Sequence, residues 1–204
     1  MTGRSAGTSG PAVVALCGYS RVGKDTAAGR LLASGYQLGS TGERVAELLR
    51  EINPGLILPG FPGGVRVDTL FAELGYDGAK AIPEIRTLMQ DTGSAIKARQ
   101  PDFFIRVVLE HHRITHPDAG LVMVGVRSHA EVVAVRAAGG VVLRIHRPGV
   151  GPLGGHQNDR DLDGVLADAD IVNDDTIEVL HDRVAAALVR LLTASSLETL
   201  SPAS

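Results

Sequence analysis

Apolar residues follow two kinds of pattern that alternate along the chain. Continuous runs such as AVVALC at residues 12–17 and LVMVGV at residues 121–126 are typical of strands that are covered on both faces. Elsewhere apolar residues recur every three or four positions, as in Val45, Leu48 and Ile52, which is typical of amphipathic helices. Strands that alternate with helices predict an α/β fold with a central parallel sheet, helices on both faces and right-handed crossovers.

Helix-start signals and breaks in these patterns set the bounds of the elements. Predicted strands cover residues 12–17, 36–38, 121–126, 141–145 and 171–172, and predicted helices cover residues 25–34, 41–52, 83–99, 128–138 and 176–192, with a further helix opening at Pro101. Three pairs have the spacing of a capping box: Ser40 with Glu43, Ser128 with Glu131, and Asp175 with Glu178. Residues 53–78 are rich in glycine and proline, so we expect a functional loop or a small insertion there.

Composition restricts the class of protein. The 204 residues are 44% hydrophobic and 21% charged, which is typical of one globular domain; we place it at residues 12–192, between flexible ends at residues 1–11 and 193–204. A net charge of -3 and 3% aromatic residues argue against a nucleic-acid partner. With a single cysteine, Cys17, and no apolar stretch near the roughly 20 residues that span a bilayer, we expect a cytoplasmic protein with no membrane partner. A homodimer is compatible with the sequence.

A phosphate-binding loop is the strongest chemical signal. Gly18-x4-Gly23-Lys24 lies between a predicted buried strand and a predicted helix, the context that gives this pattern meaning. Glycines let backbone N–H groups face a phosphate, the helix N-terminus adds positive potential and the lysine adds a mobile charge. We expect ATP to bind through Gly18, Ser20, Arg21, Val22, Gly23, Lys24, Asp25 and Thr26. The alternative is a glycine turn that only connects a strand to a helix, with a solvated lysine.

Four segments form an ordered series that covers most of residues 12–192. They are GKDT at residues 23–26, RTLMQDTG at residues 86–93 with Arg99 after it, VMVGVRSHAE at residues 122–131 continuing to RPG at residues 147–149, and DADIVN at residues 168–173. The series resembles the deoxynucleoside monophosphate kinases of phages and bacteria. This resemblance implies a three-layer P-loop kinase fold with a lid loop. It also implies transfer of the γ-phosphate of ATP to a nucleoside monophosphate acceptor in deoxynucleotide metabolism, with Mg²⁺.

The resemblance implies roles for individual residues. Lys24, Arg127 and Arg147 are the implied catalytic residues, and Arg147 belongs to a lid loop over residues 147–160 that closes on the transferring phosphoryl group. The implied acceptor residues are Arg86, Arg99 and Arg127 for the phosphate and Gln90 for the base or sugar, and Asn173 is expected to line the donor adenine through backbone contacts. The alternative for Arg86 is a solvated helix face.

One position departs from the family pattern. Related kinases carry an aspartate that orients Mg²⁺ at the strand end where this chain has Gly125. We predict Asp25 as the metal residue; the alternatives are Glu131, or an ion held by the nucleotide phosphates and water. Asp25 also suits a purely structural place in the first helical turn, and Glu131 suits a helix cap. Two other functions stay open: a P-loop kinase for another small metabolite, and a nucleotide-binding regulator without activity.

Overall fold

The computed structural model describes residues 12–151 and 166–198. The chain forms two units, one made of Met1–Gly39 and Leu109–Ser204 and the other of Ser40–Val108. The predicted flexible N-terminus, residues 152–160 of the predicted lid loop and the chain after residue 198 lie outside the described residues. Expectations about those segments stay predictions.

Outside residues 53–78, the described elements follow the order that the hydrophobic pattern indicates. The strands are β1 (Val13–Cys17), β2 (Gln37–Ser40), β3 (Gly55–Leu58), β4 (Phe61–Arg66), β5 (Leu121–Val126), β6 (Val141–His146) and β7 (Ala169–Val172). The helices are α1 (Lys24–Leu32), α2 (Thr41–Ile52), α3 (Val67–Ala81), α4 (Pro83–Lys97), α5 (Phe103–Thr115), α6 (His129–Ala137) and α7 (Ile177–Glu198).

A five-stranded sheet with the strand order β2-β5-β1-β6-β7 forms the centre of the first unit. β1 pairs in parallel with both β5 and β6, and β6 pairs in parallel with β7. The predicted parallel α/β sheet is therefore confirmed. The connection after β1 leads to β2 at one edge of the sheet, and the connection after β5 leads to β6 on the opposite side of β1. The direction of the connections therefore reverses beside β1.

Helices cover both faces of this sheet. All residues of β1 are buried, and Val14 and Leu16 belong to a core shared with α1 and α7. Side chains alternate along a strand, so Val13 points to the opposite face. There α6 packs against β1 and β6, and a Cβ built on Gly140 would lie 2.9 Å from Val13 and 2.8 Å from Val135 of α6. The three-layer arrangement expected from the sequence is present.

The second unit has its own core. It packs α2, α3, α4 and the antiparallel hairpin β3–β4 around buried side chains that include Leu49, Leu70, Ile85 and Met89. The apolar residues of α2 and α4 recur at the predicted helical spacing, and Val45 and Leu49 of α2 and Ile85 and Met89 of α4 are buried. Ile52 at the end of α2 is 61% exposed, so the buried part of that face stops before the last residue of the helix.

Of the two expectations for residues 53–78, the functional loop is wrong, because this segment forms the hairpin β3–β4 and most of α3, and the small insertion stays a prediction. Gly60 has a φ of +88° in the turn between the strands, and Gly75 interrupts α3 at a φ of +67°. Asn53 ends α2 in the left-handed region, and its side-chain oxygen accepts a hydrogen bond from the N–H of Asp68 at 3.0 Å. Glycine and asparagine serve turns and helix ends here, and composition alone does not distinguish these from an irregular loop.

Two of the three predicted capping pairs occur in the structure. The hydroxyl of Ser40 accepts a hydrogen bond from the N–H of Glu43 at 3.3 Å at the start of α2. Ser128 and Glu131 form a reciprocal capping box at the start of α6. Local spacing was sufficient to find both caps because each contact spans only one helical turn.

The third capping pair was assigned to the wrong residue. Thr176 precedes α7, and its hydroxyl accepts a hydrogen bond from the N–H of Val179 at 3.4 Å. Asp175 instead accepts from the N–H of Thr176 at 2.8 Å. The helix continues to Glu198, beyond the expected end at Leu192. Neither α7 nor any other described helix is long and apolar enough to cross a membrane.

The buried capping box of α6 gives a stability prediction. Glu131 is fully buried and accepts hydrogen bonds from the N–H groups of Arg127 at 2.8 Å and Ser128 at 3.1 Å. Glu131→Ala should lower the free energy of unfolding by about 1–3 kcal/mol, because buried donors lose their acceptor. Glu110→Ala, which removes an exposed partner of Arg113, should leave it nearly unchanged. Urea denaturation measures both, and equal losses would contradict the importance of the capping box.

Candidate phosphate-binding site

The loop between β1 and α1 has a backbone suited to binding an anion. Gly18, Arg21 and Gly23 have φ values of +135°, +65° and +95°. A Cβ on Gly18 would lie 2.3 Å from the carbonyl oxygen of Ile145, so only glycine fits at the end of β1. Gly23 precedes α1 and has no side chain to cap the first-turn N–H groups. These N–H groups and the positive helix end together attract a phosphate.

Lys24 begins α1 and folds over the loop. Its Nζ donates hydrogen bonds to the carbonyl oxygens of Gly18 at 3.0 Å and Tyr19 at 2.5 Å, and the residue is only 9% exposed. The lysine is therefore not solvated. This argues against the alternative interpretation, a connecting glycine turn with a solvated lysine. A nearly buried ammonium is stabilised by dipoles or by an anion, and a phosphate is a stronger partner than two neutral carbonyls.

Other predicted site residues lie at the same edge of the sheet. Parallel strands bring their carboxyl ends together: the loop follows β1, Arg127 follows β5, Arg147 follows β6 and Asn173 follows β7. Arg127 is half-buried and Arg147 is exposed. Ligands of parallel α/β sheets bind at this edge, beside the point where the connections reverse. The fold thus gathers one lysine, two arginines and the loop at one edge.

Asn173 makes a contact that the sequence does not indicate. Its side-chain Nδ2 donates a hydrogen bond to the carbonyl oxygen of Val22 in the loop at 2.8 Å. Its backbone N–H donates to the carbonyl oxygen of His146 at 2.7 Å. A Cβ on Gly23 would lie 2.4 Å from the same Nδ2, so a larger residue there would displace the amide of Asn173, and the φ of +95° favours glycine independently. The adenine contact expected of Asn173 stays a prediction.

Gly125 lies in a bulge at the end of β5. In the pairing with β1, Leu16 is opposite Val124 and Cys17 is opposite Val126, so Gly125 is passed over. Its φ is +93°, and no heavy atom beyond its chain neighbours lies within 4 Å of a Cβ built there. The backbone conformation, rather than a lack of space, therefore favours glycine at the position where the family has aspartate.

The start of α1 supplies the oxygen donors that suit Mg²⁺. Asp25 is exposed and Thr26 is half-buried in the first turn, beside the loop. One carboxylate and one hydroxyl fit an ion that keeps several waters and shares the nucleotide phosphates. Among the described residues no group of three His, Cys, Asp or Glu side chains could hold a metal ion. Glu131, the alternative metal residue, is committed to the capping box of α6.

Cys17 is the last residue of β1 and is fully buried. Burial raises the pKa of its thiol, although a hydrogen bond with Arg144 opposes this effect. A thiol that stays protonated is a poor nucleophile. Its burial at the end of β1 agrees with the small core residue that the sequence indicates.

The predicted acceptor residues belong to the second unit. Arg86 and Gln90 lie one helical turn apart on α4, and Arg99 follows the end of that helix. All three are exposed. An exposed arginine on α4 and a second one just after this helix suit both interpretations that the sequence left open, an acceptor-phosphate site and a solvated surface. Their acceptor role stays a prediction.

A scan against protein-family models found no match, and a search of curated proteins found none either. Among solved structures, a protein from Thermus thermophilus described as TT1252 is 17% identical, with a TM-score of 0.46 and coverage of 89% of this chain and 98% of that chain. Shikimate kinase from Aquifex aeolicus is 13% identical, with a TM-score of 0.41 and coverage of 88% and 98%. The class of the protein rests on its own sheet and loop: it is a parallel α/β protein in which the loop between β1 and α1 has the glycine and lysine pattern of a phosphate-binding loop.

Replacing Gly125 tests the bulge at the end of β5. Gly125→Ala should lower the free energy of unfolding by about 1–2 kcal/mol, because a residue with a Cβ is strained at positive φ. Gly63→Ala in β4 is the matched control, since this glycine also has open space around it but no left-handed φ. Urea denaturation of both variants measures the difference. Wild-type stability for Gly125→Ala would show that the bulge does not require glycine.

Proposed function

We propose that this protein transfers the γ-phosphate of ATP to a nucleoside monophosphate, in particular a deoxynucleotide, and releases ADP and a nucleoside diphosphate. The observation that carries the proposal is the nearly buried Lys24, folded over a left-handed glycine loop at the carboxyl end of β1. Arg127 and Arg147 after the neighbouring strands support it, because phosphoryl transfer needs several cations near the transferring group.

The loop is suited to hold the donor. N–H groups of the loop and of the first turn of α1 bind phosphate oxygens, and the ammonium of Lys24 exchanges its bonds with Gly18 and Tyr19 for bonds with the β- and γ-phosphates. Mg²⁺, when bound beside Asp25 and Thr26, would neutralise further phosphate charge. An oxygen of the acceptor monophosphate attacks the γ-phosphorus, and the bond to the β,γ-bridging oxygen breaks with ADP as the leaving group. No obligatory general base is assigned.

The acceptor assignment rests on the resemblance to deoxynucleoside monophosphate kinases. Arg86 and Arg99 would bind the acceptor phosphate, and Gln90 would contact its base or sugar. A monophosphate carries about two negative charges at neutral pH, so two guanidinium groups are a suitable complement. Their exposure in the second unit leaves their side chains accessible to such a ligand.

A nucleotide-binding regulator without kinase activity is the second candidate. Gly125 favours it, because the strand end lacks the carboxylate that related kinases place there and its φ of +93° disfavours any replacement. A coupled assay of ADP release separates the candidates when it is run over ribo- and deoxyribonucleoside monophosphates, with shikimate as a non-nucleotide acceptor. Turnover with a monophosphate supports the proposal. Turnover only with a non-nucleotide acceptor indicates a different small-molecule kinase, and ATP binding without turnover supports the regulator.

Removal of the loop lysine tests the donor site. Lys24→Ala should lower kcat by about 100-fold or more, because a preorganised charge at the transferring phosphate is lost. Circular dichroism should show an intact fold, since glycine geometry holds the loop. Lys80→Ala removes the same charge beside Tyr76 in the second unit and should keep normal turnover. Near-normal activity of Lys24→Ala would rule out the kinase proposal.

Removal of the acceptor arginines tests the substrate class. Arg86→Ala and Arg99→Ala should each lower kcat/KM for the monophosphate by about 30-fold or more, while the KM for ATP changes little, because a charged hydrogen bond to phosphate is lost. Arg113→Ala, which removes an exposed arginine paired with Glu110, is the control. Steady-state kinetics with each substrate varied measures both constants. Unchanged kinetics would assign Arg86 and Arg99 to a solvated surface.

A further inference from the structure

Asn173 joins three segments at the edge of the sheet where the phosphate loop lies. Its side-chain amide donates to the carbonyl oxygen of Val22 at 2.8 Å, and its backbone N–H donates to the carbonyl oxygen of His146 at 2.7 Å. Val22 is 1% exposed, so the accepting carbonyl belongs to a residue that the core holds in place. The side chain of Asn173 therefore contacts the loop through one peptide group, the one between Val22 and Gly23.

That peptide group decides where one loop N–H points. A peptide bond is planar and trans, so the carbonyl of Val22 and the N–H of Gly23 point in opposite directions. Gly23 has a φ of +95° and no side chain, so little in its own structure opposes rotation of this peptide. A hydrogen bond that fixes the carbonyl therefore fixes the N–H on the other side, among the loop N–H groups that bind a phosphate.

The segment around Asn173 is itself fixed to the neighbouring elements. The imidazole of His181 in α7 donates from Nε2 to the carbonyl oxygen of Thr26 in α1 at 2.8 Å, since a carbonyl only accepts. Arg183 donates to the carbonyl oxygen of Val172 and to Asp174 at 2.6 Å. An amide held in this way is preorganised before any ligand binds.

We propose that Asn173 is a positioning residue for the phosphate loop: its amide locks the peptide between Val22 and Gly23 so that the N–H of Gly23 is aimed at the phosphates of the nucleotide. This assignment rests on the proposed phosphate-binding role of the loop, but not on the acceptor. This positioning role affects the binding of every ligand that binds through its phosphates. A contact with adenine would affect only ligands that carry the base.

Binding of two ligands distinguishes these roles. Isothermal titration calorimetry compares ATP with inorganic tripolyphosphate, which has no base, for the wild type, Asn173→Ala and the similarly sized Asn173→Leu. Both variants should bind both ligands more weakly by about the same factor, roughly tenfold, the usual effect of one lost hydrogen bond at 25 °C. Asp175→Ala changes the same turn, where Asp175 accepts only from the N–H of Thr176, and leaves the contacts of Asn173 and Arg183 in place, so it should bind like the wild type. A loss for ATP alone would assign Asn173 to the adenine and overturn the proposal.

A second measurement needs no ligand and separates this proposal from the proposed function. Amide hydrogen exchange of the free protein should accelerate at residues 20–24 in Asn173→Ala and stay unchanged in Asp175→Ala, with both melting temperatures well above the temperature of the experiment. Unchanged exchange at residues 20–24 in Asn173→Ala would overturn the proposal. If the wild type bound neither ATP nor tripolyphosphate, the proposed function would fail, and the exchange data would still decide whether Asn173 orders the loop.

Discussion

The close approach of β1 and β6 at their carboxyl ends is the constraint on which the rest of the site depends. The carbonyl oxygen of Ile145 lies where a Cβ of residue 18 would be, so the chain leaves β1 through a glycine with a φ of +135°. That exit turns the loop back over the sheet edge and directs it into α1. β1 is buried on both faces and paired on both sides, so its carboxyl end is held in place. The position of Gly18, the first residue of the loop, is therefore fixed by the sheet.

The positive charge of Lys24 is held within the loop in the free protein. Lys24 satisfies its ammonium with the carbonyl oxygens of Gly18 and Tyr19, both of which belong to the loop that it would serve. A phosphate that binds there replaces neutral partners with charged ones, so the exchange favours the ligand without exposing the lysine to water. Lys24 is 9% exposed, and these two carbonyl groups supply acceptor dipoles for its ammonium from within the loop itself.

Gly125 stands where the kinases that the sequence resembles carry an aspartate, and its backbone conformation explains why glycine occupies this position. A bulge at the end of β5 shifts the pairing with β1 by one residue and places Gly125 at positive φ, a conformation that an aspartate adopts only with strain. The strand end is therefore built around glycine, and the oxygen donors available for Mg²⁺ lie at the start of α1. In the kinase that we propose, the nucleotide phosphates would supply much of the coordination of the ion.

The sequence by itself determined the features that depend on neighbouring residues. Runs of apolar residues located β1 and β5, the glycine spacing located the phosphate loop, and serine–glutamate spacing located the caps at Ser40 and Ser128. Sequence patterns do not distinguish the different turns that glycine and asparagine form, so they do not predict the hairpin β3–β4 and α3. They also do not show which of Asp175 and Thr176 caps α7.

Only the tertiary structure decided the contacts between distant parts of the chain. Asn173 reaches Val22 across 151 positions, a contact that exists because β7 and β1 lie in one sheet with only β6 between them. The bulge at Gly125 likewise depends on the register between two strands more than 100 residues apart, and no local pattern encodes a register. Local spacing specifies turns and caps through short-range sterics, whereas the partners of a side chain beyond its own element follow from strand order and packing.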